Sequence, residues 1–279
     1  MTYIDPARGP IGIFDSGVGG LSVVAAVRNL LPNEDLIYLA DQDHVPYGPR
    51  SLDQVRSFSE GITRLFIKQK VKLIVVACNT ASAAALHYLR EIFPQVPFVG
   101  MEPAVKPAAE TTRTGVVGVL ATPATFQGEL YASVIERFAS GVKVLQDTCP
   151  GLVMEIDQGN LDTPLVTFIL EQALKPMMEE GIDTVVLGCT HFPFVIPAIE
   201  TIVGPGVRVI DPSPAIARQV QRLLDEGGLR NPDSSPGQIN YLTTGDSKRL
   251  ENLLPQLVGQ AADVQELVWD QMRLRELSG

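Results

Sequence analysis

Two cysteines stand in matched settings. Val75-Val76-Ala77-Cys78-Asn79-Thr80-Ala81-Ser82 and Val186-Leu187-Gly188-Cys189-Thr190-His191-Phe192-Pro193 each carry an apolar, β-prone run into a cysteine, then into small polar residues that can cap a helix. A helix N-terminus offers free N–H groups and partial positive charge, which favour a carboxylate ligand and a thiolate. One such cysteine reads as a small buried hydrophobe; two at equivalent positions read as a working pair. Inverting a carbon centre requires a base on one face and an acid on the other, alike in basicity and opposite in protonation state. Two thiols meet that demand and exchange roles for the two enantiomers. A thiol pKa of about 8.5, lowered by a helix end, would fall where general acid/base catalysis is effective.

Other polar residues attend the same strand ends. Asp15-Ser16-Gly17 closes the first apolar run ahead of a glycine-rich turn, and Asp15 either caps the next helix, bonds an ammonium or orients a thiol. Gly17-Val18-Gly19-Gly20 lacks both the spacing of a dinucleotide fingerprint and the lysine of a P-loop. Tyr47-Gly48, in a proline-flanked loop, is either a plain turn or a source of backbone N–H groups for a carboxylate. Cys189-Thr190-His191 invites a zinc reading with Cys78 as third ligand, although no compact four-ligand set at finger-like spacing exists. His44 in a loop and His87 on a helix read as ordinary, and Cys149, which has no counterpart, as structural.

These residues need strands to carry them, and the pattern supplies them. Short apolar runs (Ile11–Phe14, Leu36–Ala40, Leu73–Ala77, Pro97–Met101) alternate with helical periodicity over Leu21–Leu31, Ser51–Gln69 and Thr80–Phe93. The same order recurs with strands at Gly115–Leu120, Val142–Gln146, Thr184–Leu187 and Val207–Ile210 and helices at Leu165–Glu180 and Pro193–Ile202. Ile13 and Val119 lie 106 residues apart, Leu36 and Val144 108, Cys78 and Cys189 111, and Glu102 and Asp211 109. One shared offset at four landmarks indicates an internal duplication. The expectation is an α/β protein of two pseudo-symmetric domains with mostly parallel central sheets and an active site in the cleft between them, beyond the carboxyl ends of the strands. The first lobe takes residues 1–98 plus 210–279 and carries Cys78; the second takes 99–209 and carries Cys189. Residues 226–238 read as a loose loop, and the tail over 246–278 as a helix or helix pair anchored by Leu253, Leu257 and the 268–272 run.

A net charge of −10 argues against a nucleic-acid partner, since phosphate binding needs a basic face. The opening ten residues show no basic stretch followed by an apolar core, and the apolar runs are too short to span a bilayer, so neither secretion nor membrane insertion is expected. Three cysteines without a CxxC pair argue against a disulfide scaffold and point to the cytoplasm.

Taken together, Phe14-Asp15-Ser16-Gly17-Val18-Gly19-Gly20, Pro46-Tyr47-Gly48, Ala77-Cys78-Asn79-Thr80-Ala81-Ser82 and Gly188-Cys189-Thr190-His191-Phe192-Pro193 resemble the signature blocks of glutamate racemases within the Asp/Glu racemase superfamily. The resemblance runs from about Gly9 to about Leu224. It implies a cofactor-independent, metal-free interconversion of L- and D-glutamate that supplies D-glutamate for peptidoglycan, in a protein that forms homodimers. It places Cys78 and Cys189 as the catalytic pair, assisted by Asp15 and His191. Asp15, Ser16, Tyr47, Gly48, Asn79, Thr80, Thr190 and His191 fall on substrate-contacting positions. One departure is Asp157, where many relatives carry Glu. An aspartate racemase, a non-catalytic two-lobed binding protein for an acidic metabolite and a zinc hydrolase remain as alternatives.

Overall fold

The structure, a computed structural model, describes residues 5–102 and 104–276. The chain divides into two compact units, one formed by residues up to Met101 together with those from Ser213 onward, the other running from Glu102 to Pro212.

The first unit begins with a 3-10 turn, Pro6–Arg8, and then β1 (Ile11–Asp15), α1 (Leu21–Leu30), β2 (Leu36–Ala40), α2 (Leu52–Lys68), β3 (Leu73–Val76), α3 (Asn79–Ile92) and β4 (Phe98–Gly100). All residues of β1, β2 and β3 are buried, as expected of parallel strands covered by helices on both faces. α2 shows why a local sequence commits to a helix. Ser51 and Gln54 form a reciprocal capping box, and Val55, Phe58, Ile62 and Phe66 recur at helical spacing as its buried stripe. The second unit contains α4 (Val105–Thr111), β5 (Val116–Ala121), α5 (Pro123–Gln127), α6 (Glu129–Phe138), β6 (Lys143–Asp147), α7 (Leu152–Asp157), α8 (Pro164–Glu179), β7 (Thr184–Gly188), a 3-10 turn (Phe192–Val195), α9 (Ile196–Val203) and β8 (Arg208–Ile210). The chain then returns to the first unit with α10 (Ser213–Glu226), β9 (Ile239–Thr243), α11 (Ser247–Val258), β10 (Val264–Asp270) and β11 (Arg273–Glu276).

The first unit's sheet has the order β11-β10-β9-β2-β1-β3-β4 and the second unit's the order β6-β5-β7-β8. Among the described residues only β10–β11 pairs antiparallel and every other pairing is parallel, giving the mixed α/β class expected of the sequence. The duplication is written in the registers. Ile13 pairs with Tyr38 and Val75, while Val119 pairs with Gln146 and Val186, so each central strand sits between its two successors in the same alignment. A packing device repeats as well. A Cβ at Gly12 would stand 2.6 Å from the Phe66 ring, and one at Gly118 would stand 2.7 Å from Met177 Sδ. In both units a glycine on the central strand lets a helix side chain press onto the sheet.

Three expectations need correction. The tail is helical only as far as Val258, not a helix or helix pair throughout: α11 ends against Gly259 in the left-handed region, and the chain continues as the two-stranded hairpin β10–β11. The hairpin turn is Gln271-Met272, both at positive φ, a primed geometry normally announced by Asn-Gly and therefore unsignalled here. Leu253 and Leu257 are buried as anchors, but Val268 and Met272 are exposed and Leu267 takes the core position. Ser278, which closed that expected tail, lies outside the described residues, as do residues 1–4 of the opening segment and Pro103 beside Glu102. The segment between Glu226 and Gln238 lacks regular structure but is pinned. Asn231 N–H donates to Glu34 Oε1 at 2.9 Å, Gly237 N–H to Pro32 O at 2.9 Å and Gln238 N–H to Asp35 Oδ1 at 2.7 Å. Glu34 itself is paired in the interior with Lys72 at 2.5 Å.

Gly12→Ala is expected to destabilise the chain by about 1–3 kcal/mol through overpacking against Phe66. The denaturant midpoint of unfolding should fall, and Phe66→Leu in the same chain should recover part of the loss that Gly12→Ala causes. An unchanged midpoint in the single variant would remove the packing argument.

Candidate active site

In the first unit the carboxyl ends of β1, β2 and β3 bring together groups far apart in sequence. Asp15, the last residue of β1, is fully buried, and its Oδ2 accepts the Gly20 N–H at 2.7 Å. It thus closes the glycine turn ahead of α1, and a Cβ at Gly20 would stand 2.8 Å from the Asp15 Cβ. The same carboxylate faces Cys78. Ser16 Oγ donates to Asp15 Oδ1 at 3.5 Å and receives the Cys78 thiol at 3.8 Å. Cys78 is the N-cap of α3 in an extended conformation, so the first turn of that helix opens directly behind its sulfur.

The electrostatics of this thiol differ from the expectation. Burial first, and the negative charge of Asp15 second, push the Cys78 thiol well above its ordinary range, while the Ala81 N–H and the Ser16 hydroxyl pull the other way. The helix end is present, but it is outweighed: desolvation and a neighbouring carboxylate both penalise the thiolate. Both effects favour the thiol over the thiolate at Cys78.

Asn79 and Thr80 follow in the first turn of α3, both buried. The amide oxygen and nitrogen of Asn79 are buried without a hydrogen-bond partner among the described residues. A buried amide is normally satisfied, so an unpaired one beside a thiol and a helix N-terminus is a place for a polar ligand. Tyr47 is buried, follows a cis Val45–Pro46 peptide and donates its hydroxyl to Asp41 Oδ2 at 2.6 Å. Burial, then Asp41, push the Tyr47 phenol well up, with smaller contributions from Cys78 and Asp15, which places its ring within electrostatic reach of both. Gly48 beside it is half-buried.

The second unit holds the other cysteine. Cys189 directly follows β7, buried, with its Sγ 3.8 Å from His191 Nδ1. His191 Nε2 lies 3.5 Å from Asp157 Oδ1, and both side chains are almost wholly enclosed. Thiol, imidazole and carboxylate therefore stand in line, and Asp157 is the carboxylate where the family resemblance expects a longer one. Thr190 is buried between the two. The local backbone departs from the expected match with Cys78. Residues Phe192–Val195 form a 3-10 turn with Pro193 in its first positions, and α9 starts only at Ile196. Pro193 has no N–H to contribute to a first helical turn, so Cys189 is not the N-cap of an α-helix.

Cys149 is buried at a φ of 44°, its N–H held by Asp147 Oδ1 at 2.7 Å, and burial pushes its thiol far up, which fits the structural reading. His87 is exposed and 3.2 Å from Glu91. His44 is less ordinary than the sequence suggests: it stacks on Phe58 with ring centroids 3.8 Å apart. The sequence reading missed Asp41, which is fully buried one residue past β2 and bonded through its own N–H to Asp15 O at 2.9 Å. Its signal was available: an aspartate at a strand end, paralleling Asp15. Among the described residues no group of three or more His, Cys, Asp or Glu side chains is arranged to hold a metal ion, and no helix is long and apolar enough to cross a membrane.

The family model for Asp/Glu/Hydantoin racemase matches residues 21–220. The chain belongs to that family. A curated glutamate racemase of Roseiflexus sp. (strain RS-1) is 50% identical over 91% of this chain and 93% of its own length. Among solved structures, glutamate racemase isoform RacE1 from Bacillus anthracis superposes with a TM-score of 0.84 at 32% identity, covering 95% of this chain and 98% of that one. Escherichia coli glutamate racemase in complex with L-glutamate and activator UDP-MurNAc-Ala superposes with a TM-score of 0.80 at 32% identity, covering 97% and 100%. Relatives this similar make the chain an amino-acid racemase, an isomerase.

Within this racemase the Asp15 charge is expected to govern the Cys78 thiol. In a Cys149→Ser/Cys189→Ser background, ultraviolet titration of the thiolate should place Cys78 above the free-cysteine value of about 8.5. Asp15→Asn removes the negative neighbour and should move that titration to lower pH; a shift to higher pH, or none, would contradict the electrostatic account.

Proposed function

We propose that the chain interconverts L- and D-glutamate by a two-thiol proton transfer without metal or organic cofactor. The observation that carries the reading is the pair of buried cysteines at the carboxyl ends of corresponding strands, each beside its own proton-accepting group: Asp15 for Cys78 and His191 for Cys189. The relatives supply the substrate, since those at 44–50% identity are glutamate racemases.

The chemistry follows from the local groups. The C–H bond at the α-carbon breaks towards one sulfur as its thiolate takes the proton, and the opposite thiol delivers its own proton to the other face. After turnover the two sulfurs have exchanged protonation states, which equips them for the reverse reaction. The mechanism requires Cys78 and Cys189 to meet opposite faces of one α-carbon, with residues 1–98 plus 210–279 as one lobe and 99–209 as the other. In the ligand-free chain Asp15 opposes the Cys78 thiolate. An incoming α-ammonium would offset that charge and favour the thiolate when substrate is present. Asp15 is then placed to accept the thiol proton, and His191, backed by Asp157, to do the same for Cys189. The N–H groups at the start of α3 suit a carboxylate of the substrate. The unpaired amide of Asn79 can bond it from the same side, with Ser16, Thr80, Tyr47 and Gly48 nearby and Thr190 beside Cys189. In the cell the reaction would supply D-glutamate for peptidoglycan, in the cytoplasm, from a homodimer.

The test is incubation of metal-free protein with L-glutamate in D₂O, following optical rotation and α-deuterium together. Loss of rotation with α-deuterium incorporation is expected, and Cys78→Ala and Cys189→Ala should each abolish it while leaving the fold intact. Normal turnover by either variant would end the two-thiol mechanism. Saturable glutamate binding without exchange would turn the reading to a binding protein. Faster turnover of aspartate would reassign the substrate, because one methylene is worth only about 1–3 kcal/mol of discrimination.

A further inference from the structure

Asp41 collects donors from three separate parts of the first unit. Its carboxylate is fully buried. Oδ2 accepts the Tyr47 hydroxyl at 2.6 Å, and Oδ1 accepts the Thr244 hydroxyl and the Trp269 indole N–H, each at 2.8 Å. His44 Nδ1 stands 3.0 Å from Oδ2 and 3.1 Å from Oδ1. Tyr47 and His44 belong to the loop after β2, Thr244 follows β9, and Trp269, the sole tryptophan of the chain, lies in β10.

The indole is itself held firmly. Its six-membered ring fills the space beside Gly61 on α2, where a Cβ would stand 2.6 Å away. Its centroid is 6.0 Å from Phe58 and 5.3 Å from His44, and Phe58 in turn contacts Tyr47 at 5.7 Å. The C-terminal hairpin therefore ends, through one N–H, on the carboxylate that fixes Tyr47. Hydrogen bonds to an ionised, buried acceptor are among the stronger ones, and a carboxylate that loses one donor is free to turn.

We propose that Trp269 is a positioning residue: through Asp41 it holds the loop carrying Tyr47 and Gly48 in the geometry that receives the substrate, so that the C-terminal hairpin serves the active site without touching it. The inference rests on the reading that Tyr47 and Gly48 contact glutamate. Without the indole N–H, Asp41 Oδ1 keeps only Thr244 and His44, and the Tyr47 hydroxyl follows the carboxylate as it turns. Binding suffers, while the thiols and their partners Asp15 and His191 are untouched.

Trp269→Phe tests this: it removes the donor and keeps an aromatic, though smaller, ring at the position. Hydrogen exchange of the 42–50 amides, measured without substrate, should quicken, with the rest of the sheet unaltered. The KM for glutamate should rise about tenfold with kcat within about twofold. Thr244→Val removes the neighbouring donor with little change of shape and should move both readouts the same way by a smaller factor. Unchanged exchange at 42–50, an unchanged KM, or a loss confined to kcat overturns the proposal. Should the native chain fail to racemise glutamate, the functional reading falls by itself, and the substrate-free exchange measurement still decides whether Trp269 holds the loop.

Discussion

A thiol and a carboxylate buried side by side constrain everything around them. Cys78 and Asp15 lie where water is scarce, and the charge on Asp15 adds to the cost of ionising its neighbour. Such a pair persists only if the carboxylate is paid in hydrogen bonds, and the glycine turn supplies one through Gly20. The turn must be glycine-rich because Gly20 closes on the Asp15 side chain at a distance no Cβ tolerates. The packing of β1 between β2 and β3, the extended cap of α3 and the glycine turn before α1 together hold these two groups close and dry.

The second unit repeats the frame and changes the chemistry. Its central strand lies between the same neighbours in the same register, and Cys189 stands as far beyond β7 as the alignment requires. Yet the neighbour of the sulfur there is an imidazole backed by a carboxylate, and a 3-10 turn replaces the α-helix start. Duplication accounts for two thiols at equivalent strand ends; it does not demand equivalent surroundings.

The first unit also carries three strands, β9, β10 and β11, that have no counterpart in the second. They extend the sheet on the β2 side and bring Thr244 and Trp269 to Asp41. Asp41 meets Asp15 through the backbone, its N–H donating to the Asp15 carbonyl, and its side chain is given over to the loop and the added strands. A cluster of His44, Phe58, Tyr47 and Trp269 fills the space between, where aromatic rings give large contact area at little cost in side-chain freedom.

By itself the sequence determined the α/β class, the duplicated strand–helix order and the placing of two cysteines at corresponding strand ends, because each rests on local pattern. Buried parallel strands are short apolar runs, helices show their own period, and a cysteine followed by capping residues marks a strand end wherever it occurs. The family resemblance pointed to Asp15 and His191, which lie within the signature blocks, and the structure puts each beside a sulfur. Only tertiary structure decided the rest. The pKa of Cys78 moves opposite to the sequence expectation since burial and Asp15 come from other segments, and a motif records the helix end but not the desolvation around it. The C-terminal hairpin was illegible because its turn, Gln271-Met272, lacks the residues that usually announce positive φ. The place of Asp41 at a strand end was legible but its partners were not: a carboxylate whose donors lie 6 and 228 residues away leaves no spacing to read. Local sequence fixes which elements form, while the strength of a charge and the company of a buried acid depend on what the fold packs against them.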